Sequence, residues 1–263
     1  MDPKLVALMG LYHLAHGSTY GEIQVAFRRG IGKSTVMRSI RVFTAAVERS
    51  LGGVVGFPGT RAGLQRCADS FELRGGIPGI IGAIDGSHIR VHPRRSEQQV
   101  YYNYKKYYSV LISAVVDPRG LFMCADVGLP GRFHDAAALR QSHLWHHHHR
   151  LFSSQKDAAT GDGFCIYGDS AYPLREWILF LAGYRNRFKT TDERAFNKRG
   201  SRARVVVEMA FGKVSFNASA RLRSPIFHLI NSCQYSPQLK GQWRLLANGL
   251  HTRTHGSWCT TIN

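Results

Sequence analysis

The sequence predicts a mixed α/β protein, a helical N-terminal region followed by a sheet with helices packed on it. Three observations carry this expectation. Residues 4–51 hold three helical segments and no strand pattern. From Gly75 the texture changes to apolar, β-branched runs, three in succession. After these, helix, strand and helix alternate, which is the order of a layered α/β arrangement.

Residues 4–15 are apolar enough for a core helix. Ser18 or Thr19 can cap a second helix over 21–29. Gly30 and Gly32 then break the chain, and Ser34 is placed to cap a third helix over 35–51. There Val36, Ile40, Phe43, Val47 and Leu51 recur at helical spacing and form one stripe, with Arg38 and Arg41 roughly opposite. Helix, short glycine-containing turn, and helix with a basic outer face is the pattern of a DNA-binding helix-turn-helix. A plain three-helix bundle with a solvated basic face reads the same way. GGVVGFPGT (52–60) marks a boundary. The expected division is a helix-turn-helix region over 1–58, a linker over 59–74, an α/β domain over 75–216 and a tail over 217–263.

In the α/β region IIGAIDGSHIRV (80–91) reads as a strand that is apolar up to Asp85. YYSVLISAVVDPRG (107–120) and LFMCADVGLPG (121–131) read as an antiparallel hairpin turning at 117–120. HDAAALRQSHLW (134–145) reads as a helix, FCIYGDSAYP (164–173) as a short buried strand with a turn, and PLREWILFLAG (173–183) as a helix with Pro173 in its first turn. Residues 185–204 read as a basic loop and VVVEMAFGK (205–213) as a helix. The stretch SHLWHHHHR (142–150) carries four consecutive histidines and reads as a solvated loop, since adjacent side chains cannot converge on one ion. Residues 217–263 show no clear period.

Composition narrows the function classes. Hydrophobic residues make up 44% of the 263, which suits a packed globular chain. Lysine and arginine number 35 against 17 acids, a net charge of +18. That balance points to a polyanionic partner, nucleic acid first. No basic amphipathic helix suited to an anionic membrane surface is evident, and no apolar run reaches membrane-spanning length. The N-terminal stretch reads as an amphipathic helix and not as a signal peptide. The five cysteines, Cys67, Cys124, Cys165, Cys233 and Cys259, are scattered and form no CxxC pair, which argues for reduced thiols and against a zinc site built on cysteine. The nucleus is the expected compartment, with the cytoplasm second.

Four acids stand where a packed fold gains nothing from them. Asp85 follows a hydrophobic strand, Asp135 opens a helix, Asp169 follows FCIY, and Glu208 lies in a helix amid valines. If the first strand and FCIY pair in parallel, Asp85 and Asp169 leave the sheet at the same edge, and a following helix can lay Glu208 across them. Carboxylates so gathered repel unless a proton or a cation intervenes. Oxygen-only ligation selects Mg²⁺ or Mn²⁺ and suits in-line phosphodiester displacement. Each acid also has a structural role open to it. Asp85 can accept local amides and Asp135 can sit at a helix dipole. Asp169 can cap a turn, and Glu208 can pair with Arg204 one turn earlier.

The stretches GAIDGSHI, YYNYKKYYSV, VVDPRG, GLPGRFHDAAALRQS, YGDSAYPLREW and RVVVEMAFGKV resemble the DDE transposases of the PIF/Harbinger superfamily and the nucleases derived from them. The resemblance covers about residues 5–214. It implies an RNase H-like core whose catalytic acids map to Asp85, Asp169 and Glu208. The family's His-Asp pair maps to His134 and Asp135, with Asp135 a further metal ligand. It also implies a Mg²⁺ or Mn²⁺ cofactor, hydrolysis at transposon ends followed by strand transfer, and a Myb-like accessory protein. A homo-oligomer stays open. Arg38 and Arg41 are the expected DNA contacts of the third helix, and Lys105 and Lys106 the expected phosphate contacts near the site. After Lys213 the chain departs from the family pattern, and Gly249, Leu250, His251 and Thr252 are at best a remnant of its Leu-His-Asn motif. A DNA-binding protein that no longer cuts is the alternative reading.

Overall fold

The computed structural model describes residues 1–27, 30–51, 53–152, 163–179 and 190–218. Residues 180–189 and 219–263 lie outside the described residues, and with them Cys233, Cys259, the 249–252 remnant and nearly all of the expected tail. Helices α1 (Pro3–His16), α2 (Tyr20–Phe27) and α3 (Lys33–Leu51) come first. They share a core of Met9, Ile23, Val36 and Ile40. Thr19 and Glu22 form a reciprocal capping box at the start of α2: the Thr19 amide donates to the Glu22 carboxylate and the Glu22 amide to the Thr19 hydroxyl. The cap of α3 differs from expectation. Gly32 accepts the first helical bonds from Thr35 and Val36, so Ser34 lies inside the helix.

The expected linker over 59–74 is largely helix α4 (Arg61–Gly75), capped by the Thr60 hydroxyl at Gly63 N. Leu64, Ala68 and Phe71 on its inner face are buried in the cores of the α/β region, which is why this segment is a helix.

Five strands follow: β1 (Ile80–Arg90), β2 (Ser109–Val116), β3 (Phe122–Pro130), β4 (Cys165–Tyr167) and β5 (Ile178–Leu179). Their order is β3-β2-β1-β4-β5. The β1, β2 and β3 pairs are antiparallel, while β4 joins β1, and β5 joins β4, in parallel. The hairpin turns as expected at Asp117, whose carboxylate accepts the Arg119 and Leu121 amides and pairs with the Arg119 guanidinium. Gly120 takes the left-handed φ of 80° that the turn needs.

Between β1 and β2 lie a short 3₁₀ turn (Arg95–Glu97) and α5 (Gln98–Tyr101). The helix expected over 134–145 divides at Ser142, whose backbone is extended, into α6 (Asp135–Gln141) and α7 (His143–Leu151). The histidine run expected as a loop is therefore helical. Ser142 Oγ caps it at Trp145 N, Leu144 is buried, and His148 stacks on Trp177 at 4.8 Å.

Two more expectations are corrected. The segment 173–179 is a turn running into β5, not the first part of a helix. Ile178 and Leu179 pair with Ile166 and Tyr167, and buried Trp177 stacks on Phe152. A short apolar run has no period of its own, so the available edge of β4 decides its conformation. The loop expected over 185–204 is helical from Thr191 onward, as part of α8 (Thr191–Ala218). A second capping box, Thr190 with Glu193, starts it. Ala203, Val206, Val207, Ala210 and Phe211 of α8 cover one face of the sheet. Leu139 of α6 and Leu144 of α7 pack in the core on the other face, with Ile81 and Ile84 of β1.

Gly200 of α8 sits directly on the Tyr167 hydroxyl, leaving no room for a Cβ. A glycine-to-alanine change inside a helix ordinarily stabilises by ~1 kcal/mol, whereas overpacking costs ~1–3 kcal/mol. Gly200→Ala is expected to destabilise by ~1–2 kcal/mol in urea unfolding. Gly212→Ala, with open space at its Cβ, is expected to stabilise by up to ~1 kcal/mol. Stabilisation by both would mean that α8 does not approach Tyr167 closely.

Candidate active site

Strand β1 changes character halfway. Residues 80–84 are buried, residues 85–89 are half-buried and Arg90 is exposed. The change coincides with the end of β4. Pairing with β4 closes at Ala83 opposite Tyr167, while pairing with β2 continues to Arg90 opposite Ser109. The strand thus runs on past Asp85 to Arg90, close to the 80–91 read from the sequence. Asp85 lies two residues beyond the last β1–β4 pair, and Asp169 lies two residues beyond it on the other strand. Parallel strands leave a sheet in one direction, so the two carboxylates exit at the same rim.

Asp85 shares a strand face with Ala83, which is packed under α8. Burial pushes the Asp85 carboxyl up to about 6, and the charges of Asp169 and Asp135 add to the rise. A hydrogen bond from the Gly86 amide and the Arg204 guanidinium act against it. Asp135, in the first turn of α6, approaches from the other side of β1. Its carboxylate rests against Gly86, where any side chain would collide with it. Burial and Asp169 raise the Asp135 carboxyl, while His134 and Lys105 lower it. Asp169 acts by charge on both and is held by a turn in which its Oδ1 accepts the Ala171 amide at 2.9 Å and its carbonyl accepts the Tyr172 amide at 3.2 Å.

Glu208 is placed differently. It is exposed on α8 and its carboxylate pairs with Arg204 at 3.2 Å, the structural role the sequence allowed. Arg204 links it electrostatically to the site, since the same guanidinium acts on Asp85. Arg204 Nε is buried and finds no hydrogen-bond acceptor among the described residues. Among the described residues no three His, Cys, Asp or Glu side chains are grouped so as to hold a metal ion. The structure thus brings Asp85, Asp135 and Asp169 within electrostatic reach of one another and leaves Glu208 one arginine away.

Two functional candidates escaped the sequence reading. Arg204 was visible only as a helical partner of Glu208. Tyr172 is fully buried, and burial together with Asp135, Asp85 and Asp169 holds its phenol well above the ordinary value, so it keeps its proton beneath the three acids. Its signal was its position three residues after Asp169 in GDSAY. Lys105 and Lys106 are exposed on the turn before β2, and the Lys105 charge reaches both Asp135 and His88. Arg38 and Arg41 are exposed on α3.

A family model described as "DDE superfamily endonuclease" matches residues 84–230. The chain is 29% identical over 180 residues to the protein named "Putative nuclease HARBI1" of Rattus norvegicus, covering 68% of this chain and 48% of that one. It is 28% identical over 213 residues to "Protein ALP1-like" of Arabidopsis thaliana, covering 78% and 51% respectively. The chain thus spans about half the length of the curated relatives it matches. No solved structure matches it. The five-stranded mixed sheet flanked by helices is consistent with a DDE nuclease fold.

The Asp85 environment has a consequence for stability. Its carboxyl titrates near 3.8 when unfolded and at about 6 when folded. Between about pH 4 and 6 the folded state keeps a proton that the unfolded chain has lost, so stability falls as pH rises through that window, by ~3 kcal/mol. Asp126, buried in β3 and likewise raised to about 6, adds a loss of the same sign. Without divalent cations, Asp85→Asn is expected to match the wild type near pH 4 and to exceed it by ~2–3 kcal/mol above pH 6. Parallel urea-unfolding profiles across that range would place the Asp85 carboxyl in open solvent.

Proposed function

The chain belongs to the DDE superfamily endonuclease family, and on that premise we propose that it is a divalent-metal-dependent DNA endonuclease of the DDE transposase type. Asp85, Asp169 and Glu208 are the proposed catalytic acids, with Asp135 a further metal ligand. The observation that carries this reading is the matched exit of Asp85 and Asp169, each two residues past the last β1–β4 pair, at a rim where burial disfavours the charge of Asp85.

The donor chemistry fits Mg²⁺ or Mn²⁺: the acids offer oxygen alone, and among the described residues no lysine or arginine forms an ion pair with Asp85, Asp135 or Asp169. Such an ion, when bound, supplies Lewis-acid stabilisation of charge developing on a phosphodiester. Asp85 and Asp169 are positioned by the sheet and need no rearrangement to face the rim. Glu208 must leave Arg204 to join them. Arg204 would then be freed to offer its guanidinium to a DNA phosphate. Tyr172, protonated, offers a fixed dipole under the acids.

The proposed substrate is duplex DNA at the ends of a mobile element, with strand transfer as a following step. Exposed Arg38 and Arg41 on α3 would hold flanking DNA as part of a helix-turn-helix, and Lys105 and Lys106 would hold phosphates beside the rim. The nucleus, a Myb-like accessory protein and self-association belong to the same proposal. A second reading is a DNA-binding protein that no longer cuts. The Arg204–Glu208 pair favours it, because it holds one acid away from the others.

Purified protein is expected to cut duplex DNA with Mg²⁺ or Mn²⁺, and Asp85→Asn to abolish cutting while leaving DNA affinity intact. Cutting that survives both EDTA and this substitution would end the metal–acid mechanism. Salt-sensitive binding with no cutting selects the second reading. For the α3 contacts, Arg38→Ala combined with Arg41→Ala is expected to lower the slope of log affinity against log salt by ~2, near 0.9 per lost phosphate contact. An unchanged slope and affinity would remove α3 from the interface.

A further inference from the structure

We propose that the turn between α5 and β2 is a nucleotide-binding tip, in which Tyr104 stacks on an unpaired DNA base while Lys105 holds a backbone phosphate facing the aspartates. The inference rests on the nuclease reading for the identity of the polyanion, and it adds a recognition site which that reading does not contain.

The tip is built and not merely exposed. Buried Asn103 organises it. The Asn103 side-chain amide donates to Ser109 Oγ at 2.8 Å, its Oδ1 accepts the Tyr107 amide at 3.2 Å, and its carbonyl accepts the Lys106 amide at 3.0 Å. Lys106 takes a φ of 64°, the one positive φ outside glycine among the described residues. A network that fixes a strained residue holds the residues beside it in one place. Against that fixed base Tyr104 is 69% exposed, so the ring is presented and not packed. Its one aromatic neighbour among the described residues is His88, edge to face at 5.6 Å, and the His88 Nδ1 is itself tied to Ser109 Oγ at 2.9 Å.

The tip is also aimed. The Lys105 ammonium lies 5.5 Å from the Tyr104 ring, and its charge acts on Asp135. Arg90 adds a guanidinium 4.4 Å over the neighbouring Tyr107. An exposed aromatic among cations is a poor surface for a neutral or basic protein. It suits single-stranded nucleic acid, whose bases stack on aromatic rings at ~1–3 kcal/mol each while the backbone follows the positive groove. A carboxylate pocket that works on a phosphodiester needs the neighbouring nucleotide immobilised, and a stacked base achieves this without reading sequence.

The test uses the full chain and a short fluorescein-labelled oligothymidylate, with binding followed by anisotropy as a function of salt. Tyr104→Ala is expected to weaken binding about 5- to 100-fold with an unchanged salt slope, and Tyr104→Phe to bind as the wild type. Lys105→Ala is expected to lower the slope by ~0.7, the single-strand value for one phosphate. Because the ring is exposed, Tyr104→Ala should leave the unfolding midpoint unchanged, which separates stacking from a folding defect. Wild-type affinity in Tyr104→Ala overturns the inference, as does a loss that Tyr104→Phe reproduces. Tyr104-independent binding with cutting intact sinks the tip alone. Tyr104-dependent binding without cutting sinks the nuclease reading and leaves the tip standing.

Discussion

Everything at the rim depends on where the pairing between β1 and β4 stops. β4 is three residues long, and its last contact with β1 sets Tyr167 opposite Ala83. Had the pairing run on, Asp85 would lie inside a sheet covered on both faces, and an unpaired buried carboxylate costs several kcal/mol. The stop has a local cause. Gly168 lies so close to the Tyr172 ring and Ile84 that no side chain fits there, and the chain turns at once through the Asp169 to Tyr172 hydrogen bond. β1, still held by β2, continues alone and presents Asp85 at the opening.

The opening is electrostatically unbalanced in a chain that carries +18 overall. Three aspartates meet there from different directions: Asp85 from the face covered by α8, Asp135 from the face covered by α6, and Asp169 from the end of β4. Their approach on opposite sides of one strand explains why they interact through charge without forming a finished ligand set. Cations stand at the margin. Arg204 acts on Asp85 from α8 and Lys105 on Asp135 from the turn before β2. Arg204 is the member with two roles available, since it holds Glu208 in this state and sits beside Asp85.

Legibility in the sequence followed the strength of local signals. The three strands of the meander were readable because apolar, β-branched runs and the Asp117 turn agree with one another. The apolar stripe of α3 was readable from helical spacing. Val36 and Ile40 are buried as that spacing implies, and Phe43 packs against Gly10. The start of α8 was written in Thr190 and Glu193 as a capping box, but the surrounding arginines and lysines disguised it as a loop. The histidine run was hidden by its composition, and it is helical because Leu144 and His148 find apolar and aromatic partners in the core. The segment 173–179 could not be read locally at all, since an apolar run of that length serves a strand or a helix equally.

By itself the sequence determined which residues were chemically exceptional: acids at the ends of apolar runs, a basic excess, and a resemblance that ordered them. Those properties are local, carried by residue type and spacing. Only the tertiary structure decided which acids meet. Register along a parallel strand pair placed Asp85 and Asp169 level with each other, and strand alternation turned Gly86, against which Asp135 of α6 rests, to the far side. Each of these depends on contacts between segments far apart in the chain, and no short window of sequence encodes a distance of that kind.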